Sequence, residues 1–167
     1  MRTEGIRAEE LPRRVPGEVM LASDRMNWQG VKLRAYRYDP LDVDVPALQD
    51  FMRVAYRKGP TRMERRFDGR WRHEDLIPGD VSLLTRSTRS HWHWTADIEV
   101  VRVYLTAQLM QQVCEEVFER PVAMVQLRDV LKTRDPVRTC SSSPRAGVRA
   151  SRPWRAPNCV RGTRTGR

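Results

Sequence analysis

The sequence predicts a mainly β fold, an antiparallel sandwich or barrel followed by a short helical segment. Three observations carry this. Short stretches between Val31 and Leu105 alternate apolar and polar residues or run apolar between breaks, as half-buried or buried strands do. Two of the breaks, Asp68-Gly69 and Pro78-Gly79, are tight-turn dipeptides. An apolar stripe with helical spacing appears only after Thr106.

Val31 to Tyr38 sets Val31, Leu33 and Ala35 against Lys32, Arg34 and Tyr36, and reads as a strand. Phe51 to Tyr56 is a second strand, rich in aromatic and β-favouring residues. Thr61 to Phe67 places Met63 and Phe67 inward and Arg62, Glu64 and Arg66 outward, and ends on Asp68-Gly69. That dipeptide tolerates the positive φ values of a type I′ hairpin, so Arg70 to Glu74 is expected to return as the partner strand. Pro78-Gly79 fits the centre of a type II turn, leading into a buried strand from Val81 to Leu84. Ser90 to Trp94 and Ile98 to Leu105 complete the series.

Thr106 is placed to cap a helix with Leu109, Met110, Val113, Cys114, Val117 and Phe118 along one stripe. Leu105 and Met110 flank the cap as a hydrophobic staple. A second, shorter helix is expected from Val125 to Thr133, with Leu127, Val130 and Leu131 on one face. Asp42 and Asp44 flank a presumed loop and have no evident partner.

Charge divides the chain of 167 residues. The formal net charge is +10, from 31 Lys and Arg against 21 Asp and Glu, which invites a nucleic-acid reading. Residues 136–167, however, hold eight arginines and neither acid nor lysine, so the preceding residues carry only +2. This tail lacks apolar periodicity, and disorder is expected for 137–167. It could act as a basic arm for nucleic acid or be a plain unstructured end. Asp135-Pro136 announces a helix that Thr139, Cys140 and three serines do not continue. An alternate reading frame through GC-rich coding sequence would give such a mixture, so a frameshift or truncation after about residue 137 is a further expectation.

Several function classes lose support. No run of 18 apolar residues is present, and residues 1–17 lack the apolar core of a secretory signal, so no membrane association and a cytoplasmic location are expected. Three scattered cysteines do not make a disulfide framework. No nucleophile elbow, phosphate-binding glycine loop or Cys-x-x-Cys is present. In Ser90-His91-Trp92-His93-Trp94, alternation puts both histidines on one face and both tryptophans on the other. Two imidazoles could hold two positions of a divalent metal, but His73, Asp97 and Glu99 are the only arguable further ligands. The simpler expectation is packed tryptophans, with histidines lining a rim or cavity. No metal, no cofactor and no catalytic residue are expected.

The stretches Arg62 to Trp71, Ile77 to Leu84, His91 to Trp94, Glu99 to Leu105 with the following helix, and Leu127 to Leu131 through Pro136 occur in an order that resembles the N-terminal domain of AraC-family transcription regulators. The resemblance covers about residues 22–136. It implies a cupin-like jelly-roll barrel that binds a small effector, with helices that mediate homodimerisation. In that family DNA is contacted by a separate C-terminal helix-turn-helix domain, which this chain lacks, so specific operator binding is not expected. Enzymatic cupins resemble one another in a His-x-His followed by a Glu and a later His. The matching region here, about Val43 to Ala55, holds no histidine.

The expected organisation is therefore a flexible N-terminus over 1–18, a cupin-like barrel over 19–105, a helical dimerisation or capping segment over 106–136, and the Arg-rich tail. The expected function is effector sensing and dimerisation, not catalysis. A cupin-type enzyme and a non-specific nucleic-acid binder acting through the tail are the alternatives. Pocket candidates are Tyr36, Tyr56, Arg65, Trp71, His91 and Trp94, and candidate dimer contacts are Met110, Val113, Val117 and Phe118.

Overall fold

A computed structural model describes residues 5–67, 69–85, 89–125 and 127–134. The proposed Asp135-Pro136 helix start and the basic tail lie outside the described residues. Among the described residues, ten strands form two antiparallel sheets. The strands are β1 (Glu18–Ala22), β2 (Val31–Tyr38), β3 (Leu41–Val45), β4 (Phe51–Lys58), β5 (Thr61–Phe67), β6 (Arg70–Leu76), β7 (Asp80–Leu84), β8 (Ser90–Trp94), β9 (Ile98–Leu105) and β10 (Val130–Arg134). One sheet has the order β1-β2-β9-β4-β7-β10, the other β3-β8-β5-β6. Without the flanking β1 and β10, eight strands pair as two interleaved sets of four. That is jelly-roll connectivity, the cupin-like barrel expected above.

Alternation determines what each sheet buries. On β2, Arg34, Tyr36 and Tyr38 turn inward, and on β4 Met52, Val54 and Tyr56 do. On β8, Trp92 and Trp94 are buried while His91 and His93 are only half-buried. β9 lies between β2 and β4, with Tyr36 opposite Val100 and Arg34 opposite Arg102. The core forms where these inner faces meet.

The turns follow their residue chemistry. Gly69 has φ +71°, and β5 pairs with β6 from Phe67 and Arg70 outward, as a two-residue hairpin loop requires. At Ile77-Pro78-Gly79-Asp80, the Asp80 N–H donates to the Ile77 carbonyl at 3.0 Å, and Gly79 takes φ +100°.

The helix α1 (Ala107–Phe118) starts where expected, with the Leu109 N–H donating to Thr106 Oγ1 at 3.3 Å. Cys114 is its fully buried residue, and Val113, Val117 and Phe118 remain exposed. No helix among the described residues is long and apolar enough to cross a membrane.

Three expectations are corrected. Residues 125–133 do not form a second helix: a 3₁₀ turn occupies Val122–Met124, and β10 then pairs with β7, burying Leu131. The free edge of β7 supplies backbone partners that outweigh the weak helical spacing. Residues 5–18, expected to be flexible, are tied down instead: Ile6 bridges to Leu48, and Ala8, Leu11 and Val15 are each about 1% exposed in the core. Asp42 and Asp44 do not flank a loop; they stand on β3, opposite His93 and His91.

Candidate ligand-binding site

The interior of the jelly roll is apolar at most positions and cationic at one. Ile98, Val100, Arg102 and Tyr104 share the inner face of β9, so strand geometry carries the Arg102 guanidinium inward with its apolar neighbours. It lies over the rings of Tyr38 and Tyr36, with Cζ 4.9 and 5.2 Å from their centroids. Those two rings stack at 5.4 Å, and Trp94 meets Tyr38 edge-on at 5.6 Å. Among the described residues no carboxylate forms an ion pair with Arg102. Its Nε and the hydroxyls of Tyr36, Tyr38 and Tyr104 are buried without a partner at hydrogen-bonding distance and angle.

Arg102 borders a cavity of about 30 Å³, walled by Val54, Met63, Trp92, Trp94 and Val100 and by Val15 from the N-terminal segment. Space of that size holds a water or two, or a ligand of a few heavy atoms. Burial raises Tyr38 to about 12 and pushes Tyr104 higher still, so both stay neutral hydroxyl donors at neutral pH. Burial opposes the charge on Arg102, but Tyr38, Tyr104 and Tyr36 outweigh it and hold the guanidinium above its ordinary pKa.

A second interior cation is paired with a carboxylate. Arg65 Nη1 donates to Asp129 Oδ2 at 2.7 Å, and its guanidinium packs over Phe67 and Trp92. Asp129 also accepts from the backbone N–H and hydroxyl of Thr85, at 2.7 and 2.6 Å. Tyr56, likewise raised to about 12 by burial, is partnered through its hydroxyl with Ser82 Oγ at 3.2 Å, and Ser82 donates to the Leu131 carbonyl.

The pocket candidates divide accordingly. Tyr56 and Trp94 line the cavity, Tyr36 stands behind Arg102, and Arg65 is inside but committed to Asp129. Trp71 and His91 do not belong: both lie on the outer face of the smaller sheet, where Trp71 is 51% exposed and the rings meet edge-on at 5.6 Å. Nor do the histidines line a rim. His91 contacts Asp42 through Nε2 and Asp44 through Nδ1, and His93 Nδ1 is 3.2 Å from Glu64. Hydrogen bonds from Arg89 and His91 hold the Asp44 carboxyl below its usual range. His93 does the same for Glu64. Among the described residues no group of three or more His, Cys, Asp or Glu is arranged to hold a metal ion.

Sequence reasoning missed Arg102, Tyr38 and Tyr104. A signal existed, since an arginine on the face of a strand otherwise lined by Ile98, Val100 and Tyr104 breaks the apolar pattern. Outside the barrel, a groove of about 400 Å³ runs between the start of α1 and the sheet, lined by Phe51, Leu83, Leu105, Met110, Leu127 and Val130. Met110 therefore faces its own domain, while Val113, Val117 and Phe118 remain available on the surface.

No family model matches the sequence, and no curated protein matches it. Solved structures similar to it are cupin-fold proteins. The EutQ protein of Clostridium difficile is 10% identical with a TM-score of 0.42, over 54% of this chain and 66% of that one. The Cupin_2 domain of an XRE family transcriptional regulator from Enterobacter cloacae is 12% identical with a TM-score of 0.40, over 53% and 93%. The AraC-like transcriptional activator CuxR is 9% identical with a TM-score of 0.42, over 53% and 34%, so the match spans about a third of that regulator. The class defined here is a jelly roll with a cation among its inward-facing groups.

Proposed function

We propose that this chain is a regulatory cupin domain, in which a small molecule bound inside the barrel alters how the domain associates with a second copy through α1. The observation that supports this reading is the barrel centre. A protein that needed only a stable sandwich would fill that space with apolar side chains, yet here the Arg102 guanidinium, with its Nε buried and unpartnered, borders a cavity. The exposed Val113, Val117 and Phe118 provide an apolar surface on the element that leaves β9, the strand carrying Arg102. The AraC-like order of sequence segments favours the same arrangement, with DNA contact left to a separate domain. Coupling would then be a population shift, the ligand favouring one arrangement of barrel and helix over another.

The test is a screen of small metabolites by thermal shift, followed by sedimentation velocity with and without each hit. A saturable stabilisation together with a changed association constant is expected, and Val117→Asp should abolish association without abolishing ligand binding. Turnover of a hit, or a monomer at all concentrations, would overturn the reading.

A further inference from the structure

The chemistry at the barrel centre specifies more than an effector of any kind. An arginine stays charged at every physiological pH. Its stacking on Tyr36 and Tyr38 uses the faces of those rings, which leaves the buried in-plane Nε–H still requiring an acceptor. No carboxylate among the described residues pairs with it. The adjoining cavity admits only a few heavy atoms, and its other walls are apolar, among them Val54, Met63, Trp92 and Val100. Nearby Arg65 shows how this fold treats a cation that has only a structural role: Asp129 neutralises it at 2.7 Å. Arg102 is left without such a partner.

We propose that Arg102, at the wall of this cavity, forms a receptor for a small monocarboxylate. The guanidinium takes the carboxylate oxygens, and a short apolar substituent lies against Trp92 and Val54. This inference rests on reading the barrel interior as the ligand site, and it names the ligand class. The permanent charge selects against neutral isosteres, and the cavity size selects against long chains and dianions.

The experiment measures melting of the full chain against formate, acetate, acetamide, nitrate and chloride, at constant ionic strength set by a bulky sulfonate buffer. Formate or acetate should raise the melting temperature saturably, and acetamide should not. Arg102→Met should lose the response. In the sulfonate buffer without added small anions, Arg102→Met should melt no lower than the parent, because it removes a charge that had no paired carboxylate. A lower melting temperature there would make Arg102 structural and overturn the proposal. So would an acetamide response equal to that of acetate, a response retained in Arg102→Met, or nitrate and chloride acting as strongly as the carboxylates. Neutral metabolites tested in parallel, with tryptophan fluorescence reporting on Trp92 and Trp94, separate the two readings. A neutral ligand bound in the barrel without an anion response defeats the carboxylate receptor alone. Silence to both kinds of ligand defeats the effector-binding reading as well.

Discussion

Asp129 receives three donors at once, one from Arg65 and two from Thr85, and joins the segment after α1 to the barrel interior. Its side chain and that of Arg65 are 11% and 5% exposed, so solvent does little to screen either charge. Removing one partner of such a pair leaves the other as an uncompensated buried ion, costing about 3–5 kcal/mol. Asp129→Ala should therefore lower unfolding free energy by that order in urea melts, and a loss near zero would show that Arg65 relaxes to solvent. Sequence reading reached part of this scale. Alternation puts Trp92 and Trp94 on one face, and the structure buries both. On β2 it sets Tyr36 with Lys32 and Arg34 against Val31, Leu33 and Ala35, yet the structure buries the face carrying Arg34, Tyr36 and Tyr38. Alternation sorts residues between two faces but cannot say which face is the core, and Trp71 and His91 went to the outer one for that reason. The Arg65–Asp129 pair, 64 residues apart, has no local signature at all.

Elements were legible where a periodic pattern meets a turn signal. β2, β5, β8 and β9 have the boundaries that alternation and turn residues imply. β3 reads Leu-Asp-Val-Asp-Val, and its aspartates suggested a loop because Asp is depleted in strands; they are tolerated here because they face His91 across the pair. β1 lies fully exposed at the edge, so it has no inside-outside pattern to read. β10 was obscured because Leu127, Val130 and Leu131 have helical spacing while their contacts are divided between the outer groove and the core. The connection between β4 and β5 allows a direct test of which glycines the fold requires. Gly59 has φ +80°, and a Cβ there would approach the Asp97 carbonyl oxygen to 1.9 Å, which only backbone movement can relieve. Gly69 has a similar φ of +71° but faces open space. Gly69→Ala should cost about 1–2 kcal/mol, the intrinsic penalty of the left-handed region. Gly59→Ala should cost at least about 3 kcal/mol, since steric overlap with backbone is added to that penalty. Equal losses for the two variants in parallel urea melts would show that the β4–β5 turn yields freely.

At the scale of the whole molecule, all four tyrosines are buried between the two sheets, which links the stability of the jelly roll to alkaline pH. A phenol ionises near pH 10 in an unfolded chain. Burial raises Tyr38 and Tyr56 to about 12 in the fold and Tyr104 further. Each is an acid whose folded pKa exceeds its unfolded one, so the folded state holds its proton over a range where the unfolded state has lost it. The stabilisation is fully present below about pH 10 and is lost as the pH rises through 12. Each pH unit in that window removes about 1.4 kcal/mol per tyrosine. Three such groups together threaten a net stability of about 5–15 kcal/mol. The chain should therefore unfold cooperatively between about pH 10 and 12, with tyrosinate absorbance and loss of β-sheet circular dichroism rising together. Tyr38→Phe should move the midpoint upward, because that hydroxyl has no partner to lose and its proton no longer contributes to the linkage. Tyrosinate formation near pH 10 with the circular dichroism unchanged would mean that solvent reaches these rings in the folded state, and that the barrel centre is open.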